Sequence, residues 1–192
     1  MKIRLTSAMF ALLLGLGVAT AAAQREDAEN QNPQQNYQVD GSWAQVPGGA
    51  WDGNTSWITA DGKGLIYVLV RDKPYVRIFR RDGTFVKSWS GTEDLGSAHS
   101  ITIDDEDNAW ISDSMRHVIR KYSVDGNLLM TLGSPDIEGD NTSQDKFNQP
   151  NHVFIAENHD IYVSDGYVNS RVVHFSPEGK FIRIIGGTHG TG

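Results

Sequence analysis

His99-Ser100-Ile101-Thr102-Ile103-Asp104 is followed by Ala109-Trp110-Ile111-Ser112-Asp113, then by Val118–Tyr122 and Leu128–Leu132. In the first run polar and apolar residues alternate, which is how a half-buried strand is written. Asp105–Asn108 supplies a turn, and Asp125-Gly126 a tight hairpin turn before the last run. Four short strands joined this way predict one antiparallel sheet. The same writing occurs on either side. The three units are 56–89, 99–133 and 151–186, aligned on a first buried aliphatic (Ile58, Ile101, Val153) and each carrying an acidic-Gly turn (Asp82-Gly83, Asp125-Gly126, Glu178-Gly179). The aliphatics are 43 and then 52 residues apart, the second step being lengthened by the insertion Ser134–Asn148. A period of about 40–50 residues with four strands per unit marks β-propeller blades. The expected fold is therefore all-β: three four-stranded blades, with the first unit written as Ile58–Ala60, Leu65–Val70, Val76–Phe79 and Phe85–Trp89, and the third as Val153–Ala156, Ile161–Ser164, Val172–Phe175 and Phe181–Ile185.

Outside the repeats the chain reads differently. Lys2 and Arg4, the apolar run Met9–Ala19 and the Ala21-Ala22-Ala23 site before Gln24 describe a signal peptide over residues 1–23. The apolar run is too short to span a bilayer, so no membrane insertion is expected once the leader is removed. Gln24–Tyr37 is rich in Gln, Asn and Glu, and residues 24–38 are expected to form a disordered linker. Residues 39–192 then form the repeat domain. The chain has no cysteine, so no disulfide framework is available. An exported protein without such staples is expected to be bacterial, either periplasmic or secreted. The net charge of −7 becomes more negative when Lys2 and Arg4 leave with the leader. No Lys/Arg cluster offsets it, which excludes nucleic acid as a partner. Three blades fall short of the four to eight that close a ring, so the chain is read as the N-terminal part of a longer propeller.

Three residues stand where chemistry would sit. His99 begins the innermost strand of the second blade, at the mouth of the channel such strands line. With imidazoles from other blades it would make an open three-ligand metal site; alone it caps a strand start. Tyr167 lies in Gly166-Tyr167-Val168-Asn169-Ser170-Arg171, a polar loop between strands. One reading is a structural turn in which Asp165 and Asn169 bond local backbone and Arg171 pairs with an acid; the other makes the phenol a proton carrier. Arg71 closes the second strand of the first blade, as a surface ion-pairing residue or a clamp for a substrate carboxylate. His117, His152, His159, His174 and His189 read as surface or structural residues. The acidic insertion, with Asp136, Glu138, Asp140 and Asp145, lacks EF-hand spacing and reads as a solvated loop.

Phe147-Asn148-Gln149-Pro150, Ile161–Arg171 (IYVSDGYVNSR) and Val172–Gly179 (VVHFSPEG) resemble NHL-type repeats, and peptidyl-α-hydroxyglycine α-amidating lyase in particular. The resemblance covers all three blades. It implies a six-bladed propeller that splits a peptidyl-α-hydroxyglycine into a peptide amide and glyoxylate, with zinc held by three histidines and a structural calcium. Position by position, it implies that His99 is a zinc ligand, Tyr167 the catalytic base and Arg71 an active-site arginine. Ile58 and Ile101 match positions whose backbone carbonyls bind calcium. The other two zinc histidines would belong to later blades. Ala98 and Ser100 flank His99 where the family has Pro and Gly, and Val168 stands where the animal enzyme has a cysteine. The expected function is a zinc lyase acting on a small peptide or other α-hydroxy substrate. The competing reading is a non-catalytic NHL propeller binding a protein, peptide or glycan on its face; a calcium-dependent propeller hydrolase or lactonase ranks below both. Fold alone does not choose among them.

Overall fold

A computed structural model describes residues 38–49, 53–92 and 94–188, so the expected signal peptide and nearly all of the expected linker lie outside the described residues. The chain divides into two units, Met1–Gly41 and Ser42–Gly192, and the described strands all belong to the second. They are β1 (Thr55–Ala60), β2 (Ile66–Val70), β3 (Val76–Phe79), β4 (Phe85–Ser88), β5 (Ala98–Ile103), β6 (Ala109–Asp113), β7 (Val118–Tyr122), β8 (Leu128–Leu132), β9 (His152–Ile155), β10 (Ile161–Asp165), β11 (Arg171–Phe175) and β12 (Phe181–Gly186). They form three four-stranded antiparallel sheets, each pairing its strands in chain order. No helix occurs among the described residues. This is the expected all-β propeller architecture, and each sheet matches one repeat.

The inner strands β1, β5 and β9 lie in sequence beside one another. The Ser56 hydroxyl donates to the Ala98 carbonyl (2.9 Å), and the Thr102 hydroxyl donates to the Val153 carbonyl (2.9 Å). Apolar side chains fill the seams between sheets. Tyr67, Leu69, Ile78 and Trp89 of the first repeat meet Ile101, Ala109, Ile111 and Tyr122 of the second. Trp110, Ile119 and Leu132 meet Val153, Ile161, Val163 and Phe175 of the third. The free face of the first sheet buries Val68, Val70 and Phe79 under Trp43, Ala44 and Val46.

The acidic-Gly turns explain their own sequence. Gly83, Gly126 and Gly179 all have φ between 77° and 84°, a region only glycine enters freely. Each is also pressed against the stretch of chain that precedes its own unit. A Cβ on Gly126 would come within 2.7 Å of the Trp89 indole, one on Gly179 within 2.8 Å of Leu132, and one on Gly83 into the Trp43 carbonyl. Trp43 and Trp89 do the same job, since their indole N–H groups donate to the Arg81 and Val124 carbonyls (2.9 and 3.2 Å), which occupy equivalent places before the two turns.

One expectation fails. The repeat predicts that Ile58 is buried like its counterparts, and it is 60% exposed, against 1% for Ile101 and 0% for Val153. Ile101 faces the first sheet and Val153 the second. Ile58 pairs in register with Val68, so it lies on the face of the first sheet against which no other sheet packs among the described residues. Segment 43–46 covers the outer part of that face and leaves the inner strand open.

Candidate functional site

The start of β5 and the β10–β11 turn bring His99 and Tyr167 together. His99 Nε2 lies 2.7 Å from the Tyr167 hydroxyl, and the two rings meet edge to face with centroids 5.2 Å apart. His99 Nδ1 lies 2.8 Å from the Asn151 carbonyl. A carbonyl only accepts, so Nδ1 carries the proton and Nε2 is left with a bare lone pair. The Tyr167 O–H then donates to that lone pair. Asn151 is the residue of the third repeat that aligns with His99, and its carbonyl also accepts from the Ser112 hydroxyl (3.1 Å). The tautomer of His99 is thus fixed by the next blade. An imidazole with one nitrogen donating to a carbonyl, so that the other keeps its lone pair, is how metal-ligating histidines are held; here that lone pair accepts from Tyr167.

Arg71 is exposed, and its guanidinium donates to the Ser97 hydroxyl at 3.3 Å, two residues before His99. Ser97 is itself fixed: the Asp113 carboxylate accepts from the Ser97 and Gly96 backbone N–H groups (2.9 and 2.6 Å). The structure therefore joins Tyr167 directly to His99 and places Arg71 beside the segment that leads into it. Ile58 and Ile101 occupy equivalent places on adjacent inner strands, in register with Val68 and Ile111. Among the described residues no three His, Asp or Glu side chains are disposed to hold one metal ion.

Sequence reasoning misses the wall beside this pair. Trp57 stacks on His152 with centroids 5.2 Å apart and planes 30° from parallel. Burial, and then the neighbouring His99, hold the His152 imidazole below the ordinary histidine range. Its Nδ1 is buried without a hydrogen-bond partner. The signal was present, because Trp57, Ser100 and His152 share one alignment position and only the middle residue is small. His117 and His174 are structural, as expected. His117 Nδ1 accepts from the Gln149 N–H at 3.1 Å, while His174 bonds Asp160 at 2.8 Å and stacks on Tyr162. His159 sits in a turn, 3.4 Å from Asp105, and His189 lies outside the described residues.

Comparison with known proteins gives the following likenesses. NHL repeat-containing protein 3 of Homo sapiens is 30% identical over 168 residues, covering 81% of this chain and 47% of its own length. Peptidyl-alpha-hydroxyglycine alpha-amidating lyase 1 of Drosophila melanogaster is 36% identical over 91 residues, covering 46% of this chain and 16% of its own length. The chain resembles the NHL-repeat proteins, the amidating lyases among them. It spans less than half the length of either relative. Among solved structures, virginiamycin B lyase from Staphylococcus aureus superposes with a TM-score of 0.52 at 19% identity, covering 70% of this chain and 41% of that one. At that identity the likeness speaks for the propeller fold alone. No protein-family model matches the chain.

Proposed function

We propose that these residues form one side of the active site of a zinc-dependent lyase that cleaves peptidyl-α-hydroxyglycines or a related α-hydroxy substrate. The observation that carries the reading is the bond from Tyr167 to the bare nitrogen of His99. His99 would hold the zinc through Nε2, and a bound zinc ion would supply acidity to an oxygen coordinated to it. The remaining ligands would come from blades beyond these residues, and the Ile58 and Ile101 carbonyls would serve a structural calcium. The Tyr167 hydroxyl already reaches Nε2, so it stands within hydrogen-bond reach of whatever binds there. Once its own phenolic proton has been lost to solvent, Tyr167 would accept the proton of the substrate hydroxyl as the phenolate. As the carbonyl of glyoxylate forms, the C–N bond breaks and the departing amide nitrogen takes a proton back. Arg71 pairs with the substrate carboxylate, the fork that suits a planar anion. The reading includes export with loss of the leader.

The NHL repeat-containing relative, whose name carries no reaction, supports a second reading in which the face around Trp57 binds a peptide, protein or glycan without catalysis. One experiment separates the two. A full-length polypeptide containing these residues, supplied with zinc, is incubated with N-benzoyl-α-hydroxyglycine and glyoxylate is measured. The lyase reading expects release that falls about 100-fold or more in Tyr167→Phe, the usual scale for losing a proton-transfer group. No release leaves the binding reading, and release untouched by that change removes Tyr167 as the proton carrier.

A further inference from the structure

The third sheet departs from the other two at one buried position. The second strand of the second sheet ends in Asp113, in register with Val118; that of the third ends in Asp165, in register with Arg171. In the first sheet Val70 and Tyr75 occupy this place. Only the third sheet puts an ion pair there, and both of its side chains are fully buried, with Arg171 Nε 2.9 Å from Asp165 Oδ2. Burying such a pair is costly unless its remaining donors and acceptors are met. Here they are met on every side. Asp165 accepts from the Asn169 side-chain amide (2.8 Å) and the Asn148 N–H (2.9 Å). Arg171 donates to the carbonyls of Ser143 and Lys146. Asn169 donates also to the Gly139 carbonyl (3.2 Å), and the Ser170 N–H donates to the Asn141 side chain (2.9 Å). Except for Asp165, all these acceptors lie in the insertion Ser134–Asn148, the segment that makes this repeat step longer than the one before it.

Two departures from the repeat, the buried pair and the inserted loop, thus interlock beneath one turn. That turn, 166–170, carries exposed Tyr167 at its tip. Asp165 and Arg171 are its two feet. We infer that the Asp165–Arg171 pair, braced by the inserted loop, is the positioning element that holds Tyr167 on His99. A tyrosine on an unbraced five-residue turn would sample many directions, and proton transfer requires one. Arg171 and Asn169 touch no reacting atom and act through Tyr167. Their relevance to catalysis rests on the lyase reading; the positioning itself does not.

The test reads the His99 ring by long-range ¹H–¹⁵N spectra of the folded chain, with Tyr167→Phe giving the Nε2 signal that lacks a hydroxyl donor. Arg171→Lys keeps the charge but loses the fork, and Asn169→Ala removes one brace. In both, Nε2 of His99 is expected to move roughly half the distance or more toward the Tyr167→Phe position, while Nδ1–H stays bonded and melting stays cooperative. A cooperatively melting variant with the wild-type His99 signal overturns the inference. If Arg171→Lys does not fold, Asn169→Ala decides alone. A shifted ring in a full-length polypeptide that releases no glyoxylate retains the positioning role and removes the lyase reading.

Discussion

At the residue scale, the candidate site turns on which lone pairs are already taken. His99 has one nitrogen committed to the Asn151 carbonyl, and the other reaches Tyr167. Both residues stand out in the sequence: His99 opens an inner strand, and Tyr167 stands in a dense polar loop. Their contact was not legible. It spans 68 residues, and no periodicity reports which turn leans over which strand. The reverse holds for Asp140, whose role is local. Thr142 and Ser143 hydrogen-bond its carboxylate, through the Thr142 side chain foremost, and hold it at about 2. A carboxylate depressed in the folded state contributes stability above its ordinary range, and loses it as pH falls through the folded value. A ¹³C titration of the Asp140 carboxyl should therefore find a midpoint near 2 that rises toward the ordinary range in Thr142→Ala. A midpoint already in that range in the wild type would show that this turn is not formed.

At the scale of the element, the repeat was readable because a strand's alternation and an acidic-Gly turn are local signals. The three turns are equivalent in sequence, and each glycine meets the stretch before its own unit: the Trp43 carbonyl, the Trp89 indole and the Leu132 side chain. Gly126→Ala should cost about 2–4 kcal/mol, combining the left-handed backbone penalty with overpacking against Trp89. Gly62→Ala is the control, since nothing lies within 4 Å of a Cβ there. Equal melting temperatures for the two variants would refute the packing account of the turns. The Asp165–Arg171 hub, in contrast, was only half legible. That Arg171 pairs with an acid is readable from its loop, but the carbonyls it also reaches lie 25 and 28 residues away, in an insertion whose sequence suggests only solvation.

At the scale of the whole molecule, alternation tells which residues share a face but not what covers it. Ile58, Ile101 and Val153 are written alike, and two are buried because a neighbouring sheet lies against them. Ile58 and, on the far side of the third sheet, Phe154 and Ile185 are exposed on faces whose counterparts between the sheets are covered. The same limit governs the proposed site, because a metal centre assembled from several blades would be readable here only through the one imidazole proposed as its ligand, His99. The central claim, that His99 binds zinc through Nε2, is tested most directly by titrating zinc into a full-length polypeptide containing these residues and following its imidazole nitrogens. The account predicts that Nε2 of His99 shifts at stoichiometric zinc while its Nδ1–H remains bonded to the Asn151 carbonyl. A titration that leaves the His99 ring unmoved while zinc binds at other histidines would contradict it.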